Sequence, residues 1–317
     1  MTRHTQESAI AAANIVLLLV LAFTVHGFFT AENLADLFLA NMPVMLMALG
    51  MTAVILTAQI DISVGSIFAL CSIVAGITAK AGAPAPVFLL AAIVTGATCG
   101  ALNGALTAWV RIPSIVVTLA SMVALRDGLR WGTQGAWVGG LPASFVRFGM
   151  DSQTYTTVVL ILTVVMTIGF AWALRNLRAG RMIFATGSNA AAAQQMGINT
   201  QRVVFSVFVL LGALTGLAAT LNAVRFQQVP SNSGLGMELK VIAAVAVGGA
   251  AITGGSATIT GTVLGVILLG IIGPALTFLG VSAYWEKALQ GAIILVAVSF
   301  HALSQHRRKR TAEVVIG

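Results

Sequence analysis

The chain has 317 residues, of which 58% are hydrophobic and 8% charged, against about 25% charged residues in an average soluble domain. That composition excludes a soluble enzyme of this length and leaves apolar material for roughly nine spans of about 20 residues, at about 1.5 Å per residue across about 30 Å of hydrocarbon. Lys and Arg outnumber Asp and Glu by 17 to 9, a net +8, but the basic residues gather between or after apolar segments, at Arg175, Arg178, Arg181 and Arg202 and from Arg307 to Arg310. That is the pattern of membrane topology and not of nucleic-acid binding.

Ten apolar segments follow in chain order. The first, Ala9–Phe29, comes after Arg3-His4; it exceeds the roughly 7–15 apolar residues of a cleavable signal and has no A-x-A site before a polar mature start, so a retained span is expected. Next come Leu37–Gln59, Ser63–Thr78, Val87–Trp109, Ile112–Leu129 and Thr156–Leu174. After a polar linker follow Val203–Val224, Val241–Ile252, Ile259–Leu279 and Lys287–Leu303. The pattern predicts an all-α polytopic membrane protein, one transmembrane domain over residues 1–317 with 8–10 spanning helices. The eighth segment is too short to span. It begins near Gly236 or is a broken helix, because the run from Gly248-Gly249 to Gly254-Gly255 exposes backbone that lipid cannot satisfy.

With ten spans, both termini and the linker at 175–202 share one side. Arg3, Arg111, the four linker arginines and the basic tail at 304–317 then face the cytoplasm. Lys80, Arg126, Arg130, Arg147, Arg225, Lys240 and Lys287 lie outside or near outer ends. Cys71 and Cys99 lie within apolar runs and suggest neither a disulfide nor a metal site. Gly96, Gly100 and Gly104 form a G-x-x-x-G ladder, with further pairs at Gly212/Gly216 and Gly261/Gly265, the spacing that lets helix backbones approach closely. Gly96/Gly100 and Gly261/Gly265 are both offset by 165 residues, which suggests an internal parallel repeat.

Within the linker, Ser188-Asn189 offers capping side chains, Ala190, Ala191, Ala192 and Ala193 form a strong helix-forming run, and Gly197 suits a left-handed position after the last turn. A two-turn helix outside the membrane is expected, either as a connector or as a small-surfaced knob for a cytoplasmic partner.

The stretch from Ala185 through Gly187, Ser188, Asn189 and Ala190–Ala193 to Gly197-Ile198 resembles the cytoplasmic coupling loop of ribose-type ABC importer permeases. Three more segments agree with that family in order. These are Gly50-Met51-Thr52 through Ile60-Asp61-Ile62-Ser63-Val64-Gly65, Pro113-Ser114-Ile115-Val116-Val117-Thr118-Leu119, and Gly236-Met237-Glu238-Leu239 with Ile242-Ala243-Ala244, Gly248-Gly249 and Gly254-Gly255. The wording around Ile112–Pro142 and Gly236-Met237-Glu238 is nearest to the permeases for autoinducer-2 and rhamnose. Departures are Gln59 before Ile60-Asp61, Lys240, Ala190 and Gln194.

The resemblance implies a subunit of the bacterial cytoplasmic (inner) membrane, paired with a second permease copy or paralogue. It also implies two separate ABC ATPase subunits and a periplasmic sugar-binding protein that delivers a monosaccharide-like substrate. The chain carries no G-x-x-x-x-G-K-[ST] phosphate loop, so ATP hydrolysis is assigned to another chain. No cofactor is implied.

Few polar groups interrupt the apolar segments. Asp61 is either a functional intramembrane acid or the cap of the helix starting at Ser63. Arg126 with Asp127, and Glu238 with Lys240, are expected to neutralise one another locally. Asn41, Gln59, Asp61, Asn103, Thr118, Ser121 and Trp131 have the amides, hydroxyls and aromatic face a sugar path needs, though each equally suits an interhelical bond or an interfacial anchor. A secondary transporter or channel for a small polar solute is the alternative. It would need coupling acids at mid-membrane, and the centres of the spans starting at Leu37, Val87, Thr156 and Val203 hold none.

Overall fold

The computed structural model describes residues 3–25 and 27–282, with positions 285, 288, 289, 291 and 292 beyond them. These residues form eleven α-helices: α1 (Arg3–Thr24), α2 (Ala31–Leu56), α3 (Val64–Lys80), α4 (Ala85–Ala108), α5 (Ser114–Thr133), α6 (Ser152–Asn176), α7 (Arg178–Ser188), α8 (Ala190–Gln195), α9 (Thr200–Ala223), α10 (Met237–Val247) and α11 (Ile259–Phe278). A helix is the default here because lipid leaves no partner for free backbone groups.

Six helices, α1, α2, α4, α6, α9 and α11, are long and apolar enough to cross a membrane. α3 is apolar but has 17 residues, and α5 has 20 but carries Arg126, Asp127 and Arg130. Nine of the ten apolar segments thus fall on helices, six of them of spanning length and composition. The Lys287–Leu303 segment and the basic tail at 304–317 lie largely outside the described residues.

α2 is buried almost continuously from Met42 to Leu56, as expected of a helix apolar on every side. It is the axis of the bundle. α1, α4 and α6 expose most of their apolar surface instead, for example Leu102, Val165 and Ile168, and so form the outer apolar wall of the bundle. α1 leans on α11, where Asn14 donates to the Leu264 carbonyl at 3.1 Å.

The small-residue ladders are the contact surfaces of two antiparallel crossings. A Cβ built on Gly100 comes 2.9 Å from the Phe208 carbonyl carbon, and one on Gly96 overlaps the Gly212 carbonyl oxygen. α4 and α9 therefore meet backbone to backbone. Gly248 and Gly261 repeat the arrangement between α10 and α11, where a Cβ on Gly248 falls 2.5 Å from the Gly261 carbonyl oxygen. Side chains larger than hydrogen cannot enter either crossing.

A parallel repeat does not survive. The 165-residue offset superimposes α2 on α9, yet these run antiparallel: Gly50 lies against Leu211, while Leu39, near the start of α2, accepts from Arg225 beyond the end of α9 at 2.8 Å. An offset joining oppositely directed helices relates them by inversion. α10 resolves the short eighth segment. It starts after Gly236 in the left-handed region (φ 84°) and stops at Val247, 11 residues or about 16 Å, so it reaches partway and is followed by glycine-rich backbone packed against protein.

The loops sort into two ends. Val138 pairs with Val229, Arg147 N–H bonds Val224 O at 2.6 Å, and Ser231 donates to Gly135 O, which gathers the loops that follow α5 and α9. At the other end the α2–α3 link meets the start of α5, where Ile60 N–H donates to Ser114 Oγ at 3.2 Å.

Candidate coupling site and polar network

The linker 175–202 folds into two helices where one is expected. α7 turns back from α6 at Leu177, a turn tight enough that a Cβ on Gly180 would lie 2.7 Å from Leu174 Cα. It buries Ile183 and Thr186 and exposes Arg178 and Arg181. Ser188 ends this helix and is not a cap.

Asn189 is the cap of α8. Its Oδ1 accepts from Ala192 N–H at 3.0 Å, so the three exposed alanines Ala190, Ala191 and Ala192 are held in one rigid turn. Gly197 closes it at φ 80° with open space around it, and Ile198 N–H returns to Ala193 O at 3.0 Å. That pairing of the residue after Gly197 with a carbonyl of the last turn is the expected left-handed stop. Gln194 donates to Thr200 Oγ1 at 2.8 Å, which fastens α8 to α9. Ala193 is buried, and Met196 is 83% exposed. A thioether that adapts to a partner surface stands beside the alanines, a neighbour that the alanine run overshadows in the sequence.

Gly187 mounts this knob on the bundle. A Cβ there would overlap the Leu56 carbonyl oxygen at the end of α2 and come 2.7 Å from Gly255 N. Gly255 N–H donates to the same Leu56 carbonyl at 2.9 Å. Gly254, at φ 87°, faces Ala58 Cβ and Gly187 O, and Gly255 faces Ser188. Three backbones therefore converge within van der Waals contact: the end of α2, the end of α7 and the turn before α11. Leu56, Gly254 and Gly255 are missed as members of this site when the sequence is read alone. The paired glycines signal irregular backbone but name no partner.

The polar candidates divide. Gln59, Asp61, Asn103, Thr118 and Ser121 gather around the α2–α3 link. Ser121 Oγ donates to Asn103 Oδ1 at 2.6 Å, Asn103 Nδ2 to Ser63 Oγ at 2.9 Å, and Ser63 Oγ to Asp61 Oδ1 at 2.6 Å. Every donor in this relay points toward the acid. Ser63 N–H also donates to Asp61 Oδ1, at 2.8 Å. The cap is thus displaced by one step: α3 starts at Val64, and Asp61 holds the turn before it instead of a first-turn N–H.

Asp61, Asn103 and Thr118 are buried, and Asp61 Oδ2 has no hydrogen-bond partner among the described residues. Thr118 donates to Ser114 O at 2.9 Å. Asn41 stands apart, donating to Leu37 O and, across to α11, to Gly270 O at 3.3 Å. Trp131, 86% exposed near the end of α5, is also apart from the network. The ion pair forms across helices: Glu238 reaches Arg126 at 3.5 Å and ties α10 to α5, while Asp127 is exposed.

A family model described as the permease component of the branched-chain amino acid transport system matches residues 33–298. The chain belongs to this permease family. Among its curated relatives, the autoinducer 2 import system permease protein LsrC of Salmonella typhi is 33% identical over 298 residues, covering 94% of this chain and 86% of the relative. LsrC of Escherichia coli strain K12/DH10B is 34% identical with 94% and 87% coverage, and that of Salmonella paratyphi B is 34% identical with 86% and 79%. No solved structure matches. The chain is a multi-pass membrane permease component, in agreement with its resemblance to ABC importer permeases.

Proposed function

We propose that the chain is the translocating subunit of an ATP-driven importer of the bacterial inner membrane. It takes up a monosaccharide-like solute delivered by a periplasmic binding protein and works with a second permease and two separate ATPase subunits. The substrate class follows the motif wording and the LsrC relatives, which are named for autoinducer 2 import. Alternating access is the mechanism, with packed helices exchanging two arrangements.

The observation that carries the reading is the α8 knob. It is small-surfaced, capped at both ends and exposed, and Gly187 joins it to the ends of α2 and α11 without an intervening side chain. An ATPase groove closing on Ala190–Ala192 displaces those ends directly. The buried relay from Ser121 to Asp61 couples the same end of α2 to α4 and α5. In this reading it holds the α2–α3 link while the helices tilt.

Ala192→Trp tests the assignment. An exposed Ala→Trp on a short helix changes stability by under about 1 kcal/mol, so the variant inserts and dimerises. A bulky ring on the knob holds an ATPase away, so co-purification of the ATPase and uptake of labelled autoinducer 2, ribose or rhamnose are both lost. Normal co-purification and uptake by the variant reduce the loop to a tether.

A further inference from the structure

The lipid-facing side of the bundle carries a feature that neither coupling nor translocation uses. Between the last turn of α6, α7 and the start of α11 lies a cleft of about 450 Å³. One wall is apolar, from Leu174, Phe184 and Ile259; the other is formed by Arg175, Arg181 and Thr260. Both arginines are exposed, and neither makes an ion pair among the described residues. Arg181 directs one N–H to Asn176 O at 2.9 Å and keeps the rest of its fork free.

The N-terminus of α11, a 20-residue helix, opens on the same cleft. Thr258 Oγ1 takes the Gly261 N–H at 3.0 Å and Thr258 O takes that of Thr262. The N–H groups of Ile259 and Thr260 have no acceptor among the described residues. Glu7 of α1 brings one carboxylate to this helix start, where it accepts from the Thr258 hydroxyl. Two guanidiniums and two open N–H groups at a helix N-terminus outweigh it, and together they attract an anion.

The depth of the cleft names the kind of anion. It lies where one span ends and another begins, at the boundary between membrane and water. Just inside it α6 exposes Val165, Ile168 and Trp172, each by more than half. A free anion meets the arginines and gains nothing from the apolar wall. A molecule with a phosphate head and a hydrocarbon tail satisfies both. We propose that this cleft binds the phosphate headgroup of an anionic phospholipid, with an acyl chain along α6. The site goes beyond the transport assignment and depends on neither its substrate nor its ATPase.

The test uses the full chain, purified in detergent and examined by native mass spectrometry with phosphatidylglycerol or phosphatidylcholine added at equal concentration. Wild type retains one phosphatidylglycerol in preference to phosphatidylcholine. Arg175→Gln with Arg181→Gln lowers that retention about thirtyfold, a factor of about five for each guanidinium. Arg178→Gln with Arg202→Gln removes the same charge outside the cleft and keeps it.

Thr260→Trp fills the cleft with every charge in place and also releases the lipid, which decides the matter if the double variant does not fold. Equal retention of the two lipids, equal loss in the control pair, or retention by Thr260→Trp overturns the proposal. Displacement of the lipid by inorganic phosphate at millimolar concentration overturns it as well, in favour of a free-anion site.

Discussion

Gly187→Ala is the sharpest probe of how motion reaches the bundle. The new methyl carbon overlaps the Leu56 carbonyl oxygen and lies 2.7 Å from Gly255 N and 2.8 Å from Leu56 C. All three are backbone atoms, so no rotamer relieves the clash. Non-bonded carbon contacts settle near 3.5 Å, and α7 must therefore move from α2 by about 1.5 Å or more. The Gly255 N–H bond to Leu56 O joins α2 to the turn before α11 and can persist while α7 is held away. Overpacking costs about 1–3 kcal/mol, confined to the junction.

The α8 surface itself is unchanged, so on the proposed coupling ATPase association should persist while the stroke should no longer displace the end of α2. In proteoliposomes containing the whole importer, ATP hydrolysis should continue and substrate uptake should fall at least about tenfold. Gly197→Ala is the control: its φ of 80° strains an alanine by about 1–2 kcal/mol, but nothing lies within 4 Å of the added carbon, so uptake should drop far less. Uptake by Gly187→Ala within twofold of wild type would refute the rigid junction.

Two further outcomes follow from the same geometry. Gln195 and Ser144 are exposed at opposite ends, so a cysteine at Gln195 should react only with a cytoplasmic maleimide and one at Ser144 only with an external one; the reverse pattern sinks the orientation drawn from the basic residues. Asn103→Leu keeps the branched shape but leaves the Ser121 hydroxyl without its acceptor and takes a donor from Ser63 Oγ, and it should destabilise the purified permease by about 1–3 kcal/mol in denaturant titration. A loss under about 0.5 kcal/mol means that the relay to Asp61 is rebuilt by water.

Much of this protein is legible from its residue order because the relevant physics is local. Burying an apolar stretch in lipid requires a helix wherever some 20 such residues run together, and this places α2, α4, α6, α9 and α11 before any contact is known. Capping is equally local: Asn189 and Gly197 mark the two ends of α8 from within nine residues. The small-residue ladders announce close crossings, since only a missing Cβ permits them.

What escaped is what depends on separation. α7 reads as a basic linker, because Arg178 and Arg181 mask the alternation that buries Ile183 and Thr186. The junction of Leu56, Gly187 and Gly255 joins positions more than sixty residues apart, and no periodicity in one segment encodes the other two. The same holds for Ser121, Asn103 and Asp61, which the sequence offers only as suitable chemistry alongside Asn41 and Trp131. Folding brings the first three to one turn and leaves the other two elsewhere, because hydrogen-bond partners in a buried network are chosen by helix crossings and those crossings exist only in the assembled bundle.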